Sequence, residues 1–240
     1  SLYQYLIQHP DIVGNKSWKE IRYFDLPENY SQGMGWYLGH FPSKREKGDR
    51  LTFDASPSYL YFNNIPELIK KDLGDIKMIA ILREPASRAY SAWQMYHSFA
   101  DNEHDHLRAI ADPRSFADAI DQELNGTPNH PTGYPYDYVD RGKYAKQLKN
   151  YYNCFDRDTL LVLSMDQLRQ DMDGTLNQVC TFLEIPPFSQ PTLDDFKVKK
   201  HNVGKYEKDP KDQALLDDLK TYFAPYNQEL YALMNETYNW

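Results

Sequence analysis

Apolar positions along the chain follow two different periods. Two runs are short and continuous, Met78–Leu82 inside "KMIAILR" and "TLLVLS" at Thr159–Ser164. Uninterrupted runs of this length suit parallel strands covered on both faces. "RLTFDASPSYL" reads as a further strand over Leu51–Ala55, broken at Ser56-Pro57, and "KEIRYFD" (Lys19–Asp25) as a short strand or extended segment. Elsewhere the apolar spacing shifts to the helical repeat. It predicts helices in "SLYQYLIQHPDI", closed by Pro10, in "IPELIKKDLG", ending at Gly74, from about Ala86 to Phe99, and over Ser115–Leu124. "KYAKQLKNYYNCF" and "DGTLNQVCTFLEI" continue the series, the latter with Asp173 as its expected cap. "PKDQALLDDLKTYFAPYNQELYALM" predicts closing helices interrupted at Pro225. Strands alternating with helices predict an α/β fold with a central, mainly parallel sheet flanked by helices on both faces. With no repeat, low-complexity tract or linker, one domain over residues 1–240 is the simplest organisation.

Composition narrows the class. A chain of 240 residues that is 41% hydrophobic can bury a substantial core, which excludes a disordered segment. No run approaches the roughly 18 consecutive apolar residues of a membrane span. The formal net charge of −8 disfavours non-specific binding to nucleic acid or acidic membranes. The two cysteines, Cys154 and Cys180, lack metal-site spacing and read as buried free thiols. His97, His104, Asp105 and His106 lie in a charged segment without the i, i+4 pair of a helical metal site, so no metal is expected there. Sequons at Asn15, Asn29, Asn125 and Asn235 matter only in a secreted chain.

The candidate chemistry starts where the first strand ends. In "KMIAILREPASRAYSAW" the apolar run stops at Arg83, Pro85 sits where a helix begins, and Arg88 and Ser91 share one helix face. Ligands of open parallel sheets bind beyond the carboxyl ends of strands, and cations, a hydroxyl and a positive helix end together make an anion site. The same residues also fit a salt-bridged arginine beside a well-capped helix.

"LREPASRAYS" after a buried strand resembles the 3′-phosphate-binding segment of sulfotransferases that use 3′-phosphoadenosine 5′-phosphosulfate, and other stretches agree in order. "KEIRYFD" with "YSQGMGWYLGHFP" is similar to the Lys-Glu-x-x-[FY]-Phe segment and Gly-Trp-Tyr helix of heparan sulfate sulfotransferases. "FDASPSYL" resembles their Glu-x-[ST]-Pro-x-Tyr strand end. "RGKYAKQLKNYYNCF…LLVLSMDQLRQD…FLEI" resembles the next helix, strand and helix, and "HNVGKYEKD" the late nucleotide loop. The resemblance covers the whole chain. It implies a P-loop-like three-layer fold, a sulfuryl donor, no metal, and an acceptor hydroxyl on a glycan or other small molecule.

Carried over residue by residue, the resemblance implies that Arg83 and Ser91 hold the 3′-phosphate. Gly204 and Lys205 would close over the nucleotide, and Tyr144 lies on a helix near it. Lys205 replaces a frequent arginine, so a two-pronged contact becomes a point charge. Glu20 matches the carboxylate that takes the acceptor's proton. Lys19 would point to the opposite face if this segment were a strand. Trp36, Tyr37, Tyr134 and Tyr136 are candidate walls for a sugar ring. His9 and His40 are the alternative bases, read mainly as a helix-end and a turn residue.

Two departures stand out. The family's Lys-x-Gly-Thr-[ST] loop, which grips the 5′-phosphosulfate, is expected with its strand ahead of Ser1 and occurs nowhere else in the chain. Ala55 stands where heparan 3-O-type relatives carry lysine, and Asp54 where they carry glutamate. With the charge of −8, this favours a neutral or lipid-linked sugar over a polyanion. Two alternatives remain open, a kinase-like transferase of the P-loop type and a non-catalytic nucleotide-binding relative. An acidic chain poor in cysteine fits a bacterial cytoplasm, while the sequons fit passage through the Golgi lumen.

Overall fold

The computed structural model describes residues 2–17, 19–126, 136–198 and 209–240. The elements used below are α1 (Leu2–Leu6), α2 (Gly33–Gly39), α3 (Ile65–Leu73), β1 (Met78–Leu82), α4 (Pro85–Ser98), α5 (Phe116–Leu124), α6 (Tyr144–Cys154), β2 (Leu160–Ser164), α7 (Met172–Leu183), α8 (Gln190–Val198) and α9 (Gln213–Met234). The chain groups into two compact units, residues 1–82 with 147–204 and residues 83–146 with 205–240. Among the described residues no helix is long and apolar enough to cross a membrane.

In the first unit β1 and β2 pair in parallel, in a register running from Met78 opposite Leu160 to Leu82 opposite Ser164. This strand pair, flanked by helices, is the predicted parallel arrangement. Leu2, Leu6, Leu163, Leu176, Val179 and Phe196 form the unit's core, with Ile79, Ile81 and Leu161 packed against it. Ser164 ends β2 because its hydroxyl accepts from the Gln167 amide while the Gln167 side chain accepts from the Ser164 amide. Gly74 ends α3 with a φ of 69°, a conformation that favours glycine.

Three expectations change here. Leu51–Ala55 is not a ladder strand, since only Leu51 pairs, in a parallel bridge with Ile12. The cap of α7 is Asp171, whose side chain accepts from the Gly174 amide at 2.9 Å, because a cap must lie three residues before that amide. Asp173 instead accepts from Lys197 at 2.7 Å. Of the two thiols, Cys180 is buried and Cys154 only partly so.

The second unit is built on α4, α5, α9 and the segment from Tyr136 to Gly142. Its core joins Ala86, Ala89, Tyr90, Phe116, Tyr138 and Phe223. Gly142 is required by a close approach, since a Cβ there would lie 2.8 Å from the Phe223 ring. A buried ion pair ties the unit together. Arg114 donates to Asp112 at 2.7 Å, and Tyr138 donates to the same carboxylate at 2.9 Å. Pro225 does not interrupt the last helix, as expected from its sequence, but lies inside a continuous α9. Its exposed position lets the helix accept the missing N–H.

Candidate functional site

In the second unit the candidate anion residues cluster around the start of α4. Arg83 follows the last residue of β1 and is half-buried, as is Ser91. Glu84 is the N-cap of α4, and its carboxylate accepts from the amides of Ala86 and Ser87 at 2.8 and 2.7 Å. Pro85 at the first helical position has no N–H to satisfy. The positive end of α4 is therefore already occupied by a carboxylate of the chain itself, and an anion would be met by side chains. Ser91 is the seventh residue of α4, about 9 Å along its axis at 1.5 Å per residue, deeper than a first-turn position.

Two neighbours have structural duties. The Arg88 guanidinium donates to the Tyr138 carbonyl, and burial pushes its pKa below the ordinary arginine value. Arg88 is thus engaged with the backbone of its own unit. Tyr144 is 4% exposed and donates its hydroxyl to the Arg83 carbonyl at 2.8 Å. Burial pushes that hydroxyl's pKa up, so it stays a donor. Tyr144 holds Arg83 by its backbone. Gly204, Lys205 and Tyr134 lie outside the described residues.

In the first unit Glu20 opens a segment held in an unusual way. Residues 20–24 form no strand. Their amides are instead taken by side chains from the "DASPSY" stretch. The Arg22 amide donates to the Ser56 hydroxyl at 3.1 Å and the Tyr23 amide to the Tyr59 hydroxyl at 2.8 Å. Both hydroxyls donate in turn to the Asp54 carboxylate, at 2.8 and 2.7 Å, and the Ile21 amide bonds Asp54 directly. Asn29 donates to the carbonyls of Ile21 and Arg22 at 3.1 and 3.2 Å, so the Asn29 sequon's amide is engaged in the fold. Arg22 has a φ of 55°, costly by about 1–2 kcal/mol for a residue with a Cβ. Its guanidinium pairs with the fully buried side chain of Asp25 at 2.8 Å.

Burial pushes the Asp54 carboxyl above the usual carboxylate range, against the pull of its hydrogen bonds from Tyr59, Ser56 and the Ile21 amide. Glu20 is more open, with 42% of its side chain exposed and Lys19 Nζ 3.3 Å from Oε1. Because the segment is not a strand, Lys19 does not point away from Glu20 and instead pairs with it.

The candidate sugar walls divide. Tyr37 is 5% exposed, with its ring stacked on Tyr23 at 4.8 Å, and is a core residue of the first unit. Trp36, on the same helix α2, is half-buried and meets His40 edge-on at 4.3 Å. Tyr136 is 2% exposed, and its hydroxyl donates to the Ala111 carbonyl at 3.0 Å, so its ring fills the core of the second unit. His9 is buried too, with Nε2 2.8 Å from the Pro186 carbonyl and Nδ1 accepting from the Asp11 amide. It serves packing, as the helix-end reading anticipated. Among the described residues no group of three or more His, Cys, Asp or Glu side chains could hold a metal ion.

A parallel strand followed by an arginine and a self-capped helix, with helices packed around the strand pair, defines an α/β protein. The sulfotransferase domain family matches residues 1–211, and the chain belongs to that family. Human heparan sulfate glucosamine 3-O-sulfotransferase 5 is 28% identical over 256 residues, covering 100% of this chain and 70% of that protein. Human bifunctional heparan sulfate N-deacetylase/N-sulfotransferase 3 is 25% identical over 98% of this chain, which spans only 28% of that protein. Among solved structures, a sulfotransferase from Alicyclobacillus acidocaldarius has a TM-score of 0.73 at 24% identity, over 99% of this chain and 91% of that one. Mouse sulfotransferase SULT7A1 complexed with PAP has a TM-score of 0.50 at 15% identity, over 97% and 76%. These two likenesses establish the sulfotransferase fold.

In sequence "FDASPSYL" reads as a strand that breaks at Ser56-Pro57 and as a family segment, and neither reading gives Asp54, Ser56 or Tyr59 a backbone to bind. The available signal was three hydrogen-bonding side chains at i, i+2 and i+5 around a proline, in a stretch that does not alternate. Glu84 was legible as a cap from its place directly before Pro85.

Proposed function

We propose that this sulfotransferase moves the sulfuryl group of 3′-phosphoadenosine 5′-phosphosulfate to a hydroxyl of a carbohydrate or other small alcohol. The family match over residues 1–211 carries the reading, because it spans Glu20, Arg83, Ser91 and the late loop together. In this reading Arg83 and Ser91 hold the 3′-phosphate, with Gly204 and Lys205 closing over the nucleotide. Tyr144 contributes by fixing the Arg83 backbone and touches no ligand. Glu20 accepts the acceptor's proton as its oxygen attacks sulfur. The new O–S bond forms as the bond from sulfur to the 5′-phosphate oxygen breaks, and 3′-phosphoadenosine 5′-phosphate leaves.

For the acceptor, the heparan sulfate named for the relatives supports a glycan, and the net charge of −8 supports a neutral one. Of the described wall candidates, Trp36 is the one left partly exposed to meet a sugar face. The Asn29 amide is engaged in the fold, so that sequon is not an open acceptor.

The test is calorimetry with 3′-phosphoadenosine 5′-phosphate on the full-length protein, wild type against Arg83→Ala and Ser91→Ala. It is paired with mass-spectrometric assay of sulfuryl transfer to neutral and heparan-type oligosaccharides. Weaker binding by both variants and transfer to at least one sugar are expected. Equal affinity in all three proteins would overturn the site, and binding of ATP in preference would overturn the donor.

A further inference from the structure

We propose that Asp54 is a positioning residue for the transfer reaction, setting the place of Glu20 by fixing the three backbone amides that follow it. The inference rests on Glu20 being the general base. Its ground is the hydrogen-bond order around one buried carboxylate. An ionised carboxylate only accepts. Facing Asp54, the Ser56 and Tyr59 hydroxyls must both donate to it, and each then presents a lone pair outward. The Arg22 and Tyr23 amides meet those lone pairs, and the Ile21 amide meets the carboxylate itself. One group thus sets the direction of both hydroxyl bonds and leaves acceptors for the Arg22 and Tyr23 amides, and linked bonds of this kind reinforce one another.

Nothing in regular secondary structure does this work for the segment, because residues 20–24 belong to no ladder. The left-handed turn at Arg22 makes the clamp necessary. A residue with a Cβ persists in that conformation only where its surroundings hold it. Here Ser56 holds the Arg22 amide and Asn29 its carbonyl. Glu20 is half exposed, and among the described residues its side chain pairs with Lys19, whose own side chain is 40% exposed. The carboxylate's position therefore derives from its backbone, and the backbone's from Asp54.

Asparagine at this place cannot reproduce the order. Its amide nitrogen would donate toward one of the hydroxyls, which then loses the acceptor for its own hydrogen and must reorient. One of the two charge-assisted bonds that orient the clamp is lost while the side-chain volume stays nearly constant. Glutamate keeps two accepting oxygens.

The experiment uses the full-length protein with Asp54→Asn, Asp54→Glu, Tyr59→Phe, Glu20→Gln and the double variant Asp54→Asn with Glu20→Gln. Turnover, donor KM, affinity for 3′-phosphoadenosine 5′-phosphate and thermal melting are read for each. Asp54→Asn is expected to lower kcat on the order of 10- to 100-fold, the scale of a displaced catalytic group, with nucleotide affinity unchanged. Asp54→Glu is expected to restore most of the rate, and Tyr59→Phe to show a smaller loss of the same kind. In the Glu20→Gln background, adding Asp54→Asn should change nothing further, since its effect passes through Glu20. A folded Asp54→Asn with wild-type kcat would overturn the proposal. So would an equal further loss in the Glu20→Gln background. Wild-type activity in Glu20→Gln alone would overturn the assignment of the base, an outcome distinct from either.

Discussion

Tyr144→Phe separates a residue that touches the nucleotide from one that holds a nucleotide-binding residue in place. The substitution removes one oxygen and keeps the ring, which packs 6.0 Å from Trp240. The lost bond is the 2.8 Å donation to the Arg83 carbonyl. Removing one partner of a buried hydrogen bond costs about 1–3 kcal/mol, and a carbonyl, with its second lone pair, falls toward the lower end. About 1–1.5 kcal/mol corresponds to a Tm lower by roughly 2–6 °C in a chain of this size. The affinity for 3′-phosphoadenosine 5′-phosphate should change by less than about threefold, because no contact to the ligand is removed. A direct contact to a phosphate would be worth about 1.5–3 kcal/mol, or roughly 10- to 150-fold in affinity. Differential scanning calorimetry and titration calorimetry on the same preparation decide the matter. A tenfold or greater loss of affinity with an unchanged Tm would refute the reasoning, since it would place the hydroxyl on the nucleotide.

Other outcomes follow from the same contacts. Glu20→Gln should reduce turnover by about 10²- to 10⁴-fold while leaving nucleotide affinity intact, measured by steady-state kinetics beside calorimetry. Arg114→Ala leaves the Asp112 carboxylate buried and unpaired, and should lower unfolding stability by about 3–5 kcal/mol in urea titration. Burial raises the Asp112 pKa, but the hydrogen bonds from Arg114 and Tyr138 outweigh it and hold the carboxyl below the usual range. A depressed carboxyl contributes stability above its unfolded value of about 3.9 and loses it as pH falls through its lower folded value. Tm should accordingly drop on acidification below about pH 4, and less steeply in Asp112→Asn. Pro225→Ala restores an N–H at an exposed position inside α9 and should raise stability by about 1–3 kcal/mol. An unchanged or lower Tm would mean that the helix is bent to fit the proline.

What could be read from the sequence follows what periodicity reports. Continuous apolar runs announced β1 and β2, and the helical repeat announced α4 and α7, because burying those faces is what formed the elements. The family segments then single out Glu20, Arg83 and Ser91 as candidates. Polar pairing was not legible in this way. Leu51–Ala55 looked like a strand because it is extended and apolar at its start, yet Asp54 and Ser56 turn inward to bind another backbone. Tyrosine misled most. Tyr37 and Tyr136 resemble ligand walls in sequence, and Tyr144 a nucleotide neighbour, but their rings are core and their hydroxyls, where bonded, serve backbone carbonyls. Arg88 shows the same limit, since helical spacing names the face it starts from and not the carbonyl its long side chain reaches.

The carboxylate of Glu84 at the head of α4 bears on the release of product. A helix start that depended on a bound phosphate to satisfy its first amides would leave them bare each time the nucleotide departed, and would fray or wait for water. Here the amides of Ala86 and Ser87 have their partner within the chain itself. In the proposed reading, the helix beneath Arg83 keeps its cap whether or not a nucleotide is bound, so the spent nucleotide can leave without uncapping it.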